Sequence, residues 1–201
     1  MSASRARDLF TLAVGLAVVI VDQLTKAWIV QYFVVAEGRP PIPILGQILT
    51  LWYVQNTGVA FSFFSNDNVK FILIFVALAV VIYLYWRFRA AASPWLLLGF
   101  ALVIGGAVGN LIDRFTHGYV VDFIYFQIPQ IKFEFAVFNI ADSAISVGVV
   151  LIAIVLYFTN MAGAQQTDKP APTPSSVKAI SRESDTPESE TSAQVGAGDP
   201  S

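Results

Sequence analysis

The sequence predicts an all-α integral membrane protein: four transmembrane helices with a small extracytoplasmic β-sheet platform. Three observations lead there. Apolar residues make up 56% of the 201-residue chain and charged residues 13%, against roughly 25% charged in an ordinary globular domain. Four apolar runs, about 9–30, 70–87, 94–112 and 137–158, read as membrane helices. The polar residues inside those runs collect at one depth instead of being scattered.

The elements follow in chain order. Ser4-Arg5-Ala6-Arg7 precedes an apolar run, a start that resembles a signal peptide. The run is too long for that, and Asp22 and Lys26 interrupt it, so it reads as a retained first helix over about 9–30. Residues 31–68 form an outer β region. Gly38, Pro40, Pro41, Pro43 and Gly46 exclude a continuous helix there. The run 48–54 is rich in β-formers, and Asn56-Thr-Gly58 reads as a turn. Trp52 and Tyr53 are expected near the headgroups. The second helix spans about 70–87 and the third about 94–112, opened by Pro94. Residues 114–134 are expected outside the hydrocarbon, with Phe115, Tyr119, Phe123 and Tyr125 interfacial. The fourth helix covers about 137–158.

The transmembrane domain therefore occupies 1–161. Residues 162–201 are rich in Ser, Thr, Pro, Glu and Ala and carry no aromatic residue, a composition unable to bury a core, and are expected to be a disordered cytoplasmic tail. The tail carries three basic and six acidic side chains, and the rest of the chain nine and eight. The acidity thus belongs to the tail, and no basic stripe suggests nucleic acid. Without cysteine there is no disulfide, thiolate metal site or thiol nucleophile, and one histidine, His117, builds neither a zinc site nor a triad. No metal or cofactor is expected. Basic side chains flank both ends of the helices about equally. The basic N-terminal flank of the first helix decides, placing both termini in the cytoplasm.

Asp22 lies about 20 Å from the terminal face, and Asn110 and Asp142 about 24 Å, by helical rise. Three independent segments therefore place polar groups near the outer boundary. Asn110, Asp113 and Arg114 share one face of the third helix by spacing, and Asn139 and Asp142 open the fourth. Asp22 and Lys26 form an i,i+4 acid–base pair. Gly105, Gly106 and Gly109 permit close approach below Asn110. Plainer readings exist for most of these: Asp22 with Lys26, and Asp113 with Arg114, as structural ion pairs; the glycines as packing; Asn56 as a turn residue; His117 as a loop residue. Asp122 and Asp142 resist such readings, because each sits among apolar neighbours with no adjacent base. Two carboxylates in a dry site share one proton, which supplies a base and an acid together. That is hydrolytic chemistry without metal, thiol or histidine.

Five blocks, Asp22-Gln-Leu-Thr-Lys26, Asn56-Thr-Gly-Val-Ala-Phe61, Gly105-Gly-Ala-Val-Gly-Asn-Leu-Ile-Asp-Arg114, Val121-Asp122-Phe123 and Phe138-Asn-Ile-Ala-Asp-Ser143, resemble in order those of lipoprotein signal peptidase, signal peptidase II. The resemblance covers about 9–158. It implies an aspartic endopeptidase of the bacterial inner membrane that cleaves diacylglyceryl-modified prolipoproteins just before the lipidated cysteine. Its implied catalytic pair is Asp122 and Asp142. Asn56, Gly58, Asn110, Arg114 and Asn139 are implied in substrate binding or support, with Asp22, Lys26 and Asp113 as support. Partners implied are lipidated prolipoproteins, membrane lipid and globomycin-type inhibitors, with the enzyme a monomer. The rival class, a transporter or structural membrane subunit, would distribute polar groups across the bilayer and often show inverted repeats; neither pattern is present. A presenilin-like protease would carry Gly-X-Gly-Asp, which is absent.

Overall fold

A computed structural model describes residues 2–35, 39–58 and 67–167, with side chains of 67–71 and 160–167 left aside. Helix α1 (Ala3–Val30) is capped by the Ser2 hydroxyl and runs on into a π-helical turn, Gln31–Val35. Strands β1 (Ile42–Leu45) and β2 (Leu49–Asn56) follow, then α2 (Asp67–Phe88) and α3 (Pro94–His117). Strand β3 (Val120–Ile128), a 3₁₀ turn (Pro129–Ile131) and β4 (Phe133–Glu134) lead to α4 (Ile140–Thr167). Met1–Phe158 is one compact unit. The tail beyond Thr167 lies outside the described residues.

Among the described residues three helical segments, Ala3–Val35, Pro94–His117 and Ile140–Thr159, are long and apolar enough to cross a membrane. The apolar part of α2, Ile72–Phe88, is shorter. The exposure pattern inverts that of a water-soluble domain. Leu12 and Leu24 are each 66% exposed, while Asp22 is 0%, Asp113 1% and Lys26 3% exposed. Apolar side chains meet lipid and charges fill the middle, which makes this a multi-pass membrane protein.

The sheet is antiparallel, in the order β1-β2-β3-β4. Half of it comes from residues 120–134, which sequence reading left unassigned. Val54 stands opposite Asp122 and Asn56 opposite Val120. The chain entering α4 is stitched to β3: Ile124 donates to the Phe138 carbonyl (2.7 Å) and Phe138 returns a bond to Ile124 (3.1 Å). Under the sheet Ile29, Val121 and Phe123 form a buried apolar cluster. Phe123, expected at the interface, is therefore core, because its strand is covered by the end of α1.

Helix α3 continues past the expected Ile112 to His117. The charges at 113 and 114 do not end it because both have partners within the fold. Gly118 ends it instead, at φ 81° with its N–H on the Arg114 carbonyl, a conformation that glycine takes without penalty. Helix α4 starts at Ile140 rather than 137, since Phe138 is held in the bridge to β3. Helix α1 starts at Ala3 rather than residue 9.

Candidate active site

Strand β3 carries Asp122 inward, 1% exposed, between the ends of β2 and α4. Asn56, the last residue of β2, donates its side-chain amide to Asp122 Oδ2 (2.8 Å). The amide is aimed by a turn: Gly58, at φ 86°, donates its N–H to Asn56 Oδ1 (2.8 Å). Asn139 donates from the other side to Asp122 Oδ1 (2.7 Å).

Asn139 also caps α4. Its Oδ1 accepts from the Asp142 N–H (2.9 Å), and its own N–H donates to Asp142 Oδ2 (3.2 Å), a reciprocal capping box. One asparagine thus fixes both carboxylates: Asp122 through its amide nitrogen, Asp142 through the helix start. Asp142 further accepts from Asn110 Nδ2 (2.7 Å). Burial pushes the Asp122 carboxyl up to about 6, and the charge of Asp142 adds to the effect, while amide donation from Asn56 and Asn139 opposes it. The two acids are therefore electrostatically coupled.

Behind them lies a charged support. Lys26, on α1, pairs with Asp22 (2.8 Å) and with Asp113 of α3 (3.0 Å), and donates to Asn110 Oδ1 (2.9 Å). That last bond, with a second to the same oxygen from Asn139 Nδ2 (3.0 Å), settles which end of the Asn110 amide faces Asp142. Asp22 Oδ1 accepts from the Ala141 N–H in the first turn of α4 (2.9 Å), and Asp113 Oδ2 from the Val121 N–H of β3 (2.9 Å). Each support carboxylate therefore ties a helix to the segment bearing one candidate acid. Two glycines of α3 make this approach possible. A Cβ on Gly106 would stand 2.4 Å from the Ala141 carbonyl oxygen, and one on Gly109 2.7 Å from Asp22 Oδ2.

All ten sequence-selected residues fall in or beside this network. Asp113 does not pair with its neighbour Arg114, however. Arg114 reaches back to the Asn110 carbonyl (3.3 Å) and faces Asp142 and Asp122 electrostatically. His117, at the end of α3, bonds Thr116 and lies against Tyr119, away from the pair. Sequence reasoning missed Gln23, whose Nε2 donates to Asp113 (2.9 Å), to Asp22 (3.2 Å) and to the Gly109 carbonyl (3.2 Å). Its signal was an amide inside an apolar helix at the depth of the other polar groups. Among the described residues no cluster suited to a metal ion occurs.

Fold and site together define a membrane-embedded protein built around two coupled carboxylates, Asp122 buried and Asp142 half-buried. The sequence matches the family model described as signal peptidase (SPase) II over residues 14–158. The lipoprotein signal peptidase of Lactobacillus gasseri is 41% identical over 157 residues, 78% of this chain and 97% of that protein. That of Bartonella henselae is 42% identical over 136 residues, 67% of this chain and 80% of that protein. Two solved bacterial membrane enzyme structures share the fold. One has a TM-score of 0.61 and 31% identity, over 73% of this chain and 91% of that one; the other 0.64 and 28%, over 81% and 94%. The chain belongs to the signal peptidase II family.

Proposed function

We propose that this protein is an aspartic endopeptidase that removes signal peptides from diacylglyceryl-modified bacterial prolipoproteins, cleaving just before the lipidated cysteine. Family membership supports the activity. The observation that carries the mechanism is the joint hold of Asn139 on Asp122 and Asp142. Asp142 lies in the first turn of α4, where the helix dipole favours negative charge, so it serves as the base. Asp122, pushed up by burial, carries the shared proton. Asp142 takes a proton from water as the oxygen adds to the scissile carbonyl, and Asp122 gives its proton to the carbonyl oxygen. On collapse Asp142 returns its proton to the leaving amine and Asp122 recovers one from the gem-diol. Asn56, Gly58, Asn110, Arg114 and Asn139 position the acids and the substrate, and the Asp22–Lys26–Asp113 triad holds them.

The helices are read as four spans, with both termini in the cytoplasm and the site near the outer face of the inner membrane. Support for α2 as a span is that it carries the chain from the site layer back to the terminal layer. Its Tyr85 donates to Asp8 of α1 (2.6 Å), and Arg89, just past its end, pairs with the same carboxylate. The enzyme acts as a monomer and is blocked by globomycin-type inhibitors. The test is incubation of the purified protein with lipidated and unlipidated forms of one prolipoprotein, read by mass spectrometry. The lipidated form should be cut immediately before the modified cysteine, and globomycin should stop it. Cleavage elsewhere, or equal cleavage of the unlipidated form, would contradict the assignment.

A further inference from the structure

Between α1, α2 and α3 an apolar cavity of about 510 Å³ extends along α1 from Asp8 to Val19. At 1.5 Å per residue that is about 16 Å, the hydrocarbon depth of one leaflet. Its floor exists because α1 and α3 meet backbone to backbone: a Cβ on Gly105 would stand 2.7 Å from the Gly15 carbonyl oxygen. Ile82, Tyr85 and Trp86 of α2 form the facing wall. The buried Thr11 hydroxyl lines the cavity without a hydrogen bond to any described residue, although the Tyr85 phenol lies near it.

The mouth at the terminal end is basic. Arg89 pairs with Asp8 and lies over the Trp86 ring at 3.9 Å. Arg7 donates to the carbonyls of Arg89 and Ala90, and Arg5 and Arg87 are exposed at the same end. Asp8 is thus answered by Arg89, and Arg5, Arg7 and Arg87 have no carboxylate partner among the described residues. A one-leaflet apolar slot with a cationic, tryptophan-bearing mouth has the polarity of a phospholipid.

We propose that this cavity seats an acyl chain of an anionic phospholipid from the leaflet on the side of the termini, its phosphate held by the arginines at the mouth. A signal-peptide helix is the competing occupant and fits worse. A helix about 10–12 Å across is far broader than a single acyl chain. Signal peptides also begin with basic residues, which the arginines would repel. A second recess of about 510 Å³, between α3 and α4, is lined by Trp95, Val150 and other residues without a charge among them, and provides an internal control.

The test uses purified, delipidated protein in neutral detergent, titrated with phosphatidylglycerol or phosphatidylcholine. Bound lipid is counted by native mass spectrometry, and thermal unfolding is followed in parallel. One phosphatidylglycerol should bind at least roughly tenfold more tightly than phosphatidylcholine, given about three unbalanced arginines near the phosphate. Leu16→Trp, which fills the cavity, should abolish that binding. Arg5→Gln with Arg87→Gln, both on the surface, should weaken it roughly tenfold or more. Val150→Trp in the control recess should leave it unchanged. Equal binding of the two lipids, retention of binding in both the Leu16→Trp and the double-arginine variant, or displacement of phosphatidylglycerol one-for-one by a synthetic signal peptide would overturn the proposal.

Discussion

Replacing Lys26 with methionine should unfold the site from behind. The ammonium, 3% exposed, lies 2.8 Å from Asp22 and 3.0 Å from Asp113, which are 0% and 1% exposed. Methionine fills similar space but leaves two buried carboxylates without their counter-charge. Breaking a buried pair in this way costs about 3–5 kcal/mol. For a chain of this size that lowers Tm by roughly 6–20 °C at about 2–4 °C per kcal/mol. Asp22→Asn in the same chain removes one stranded charge, and its Oδ1 can still accept from Ala141. The double variant should therefore be more stable than the sum of the single losses by about 2 kcal/mol, within the range of measured couplings between contacting residues. Activity should fall further than stability explains, because Asn110 loses one of the two bonds that turn its amide toward Asp142, keeping only that from Asn139. A misplacement of that kind is worth about a hundredfold in rate. The assay is a double-mutant cycle of thermal unfolding in detergent beside kcat on lipidated substrate. A Tm change under about 3 °C for Lys26→Met, or additive losses in the double variant, would show that the ammonium does not hold the two carboxylates.

Other expectations follow from the same geometry. Asp122 sits at about 6 against an ordinary carboxylate value of 3.8, so it stays protonated while the same group in the unfolded chain ionises. Its contribution to stability is lost as pH rises from about 4 to 6, and kcat/KM should decline above about pH 6 as the acid loses its proton; a pH profile rising through this range would be incompatible. Deleting residues 168–201 should change neither Tm nor cleavage, because the composition of that segment cannot pack a core; a marked loss of activity would show a role in substrate handling. In intact spheroplasts an impermeant thiol reagent should label a cysteine at Gln130, in the turn beside the sheet, and not one at Ala91, between α2 and α3. The reverse pattern would place the site at the cytoplasmic face.

Much of this molecule was legible in its sequence because a bilayer makes depth readable. Helical rise put Asp22, Asn110 and Asp142 in one layer, and they meet there through Asn110 and Ala141. Partner choice was not legible. Asp113 and Arg114 are adjacent in sequence, but adjacent residues on a helix point apart; Asp113 turns instead to Lys26, on another helix. Strand β3 was hidden because its first four residues are all buried, which erases the alternation that marks a half-exposed strand. Helix α3 runs on past Ile112 because Asp113 and Arg114 both find partners within the fold, and Gly118 ends it. Gln23 was passed over because one uncharged amide in an apolar run announces nothing until its three acceptors are seen.

The central claim is that Asp122 and Asp142 act as one catalytic unit. It is tested most directly by measuring kcat on a lipidated prolipoprotein for Asp122→Asn, Asp142→Asn and the double variant, each checked for folding by its Tm. Each single change should abolish turnover, the double variant should be no worse than either, and all three should remain folded. Substantial turnover by either single variant, or stepwise multiplicative losses on combining them, would contradict it.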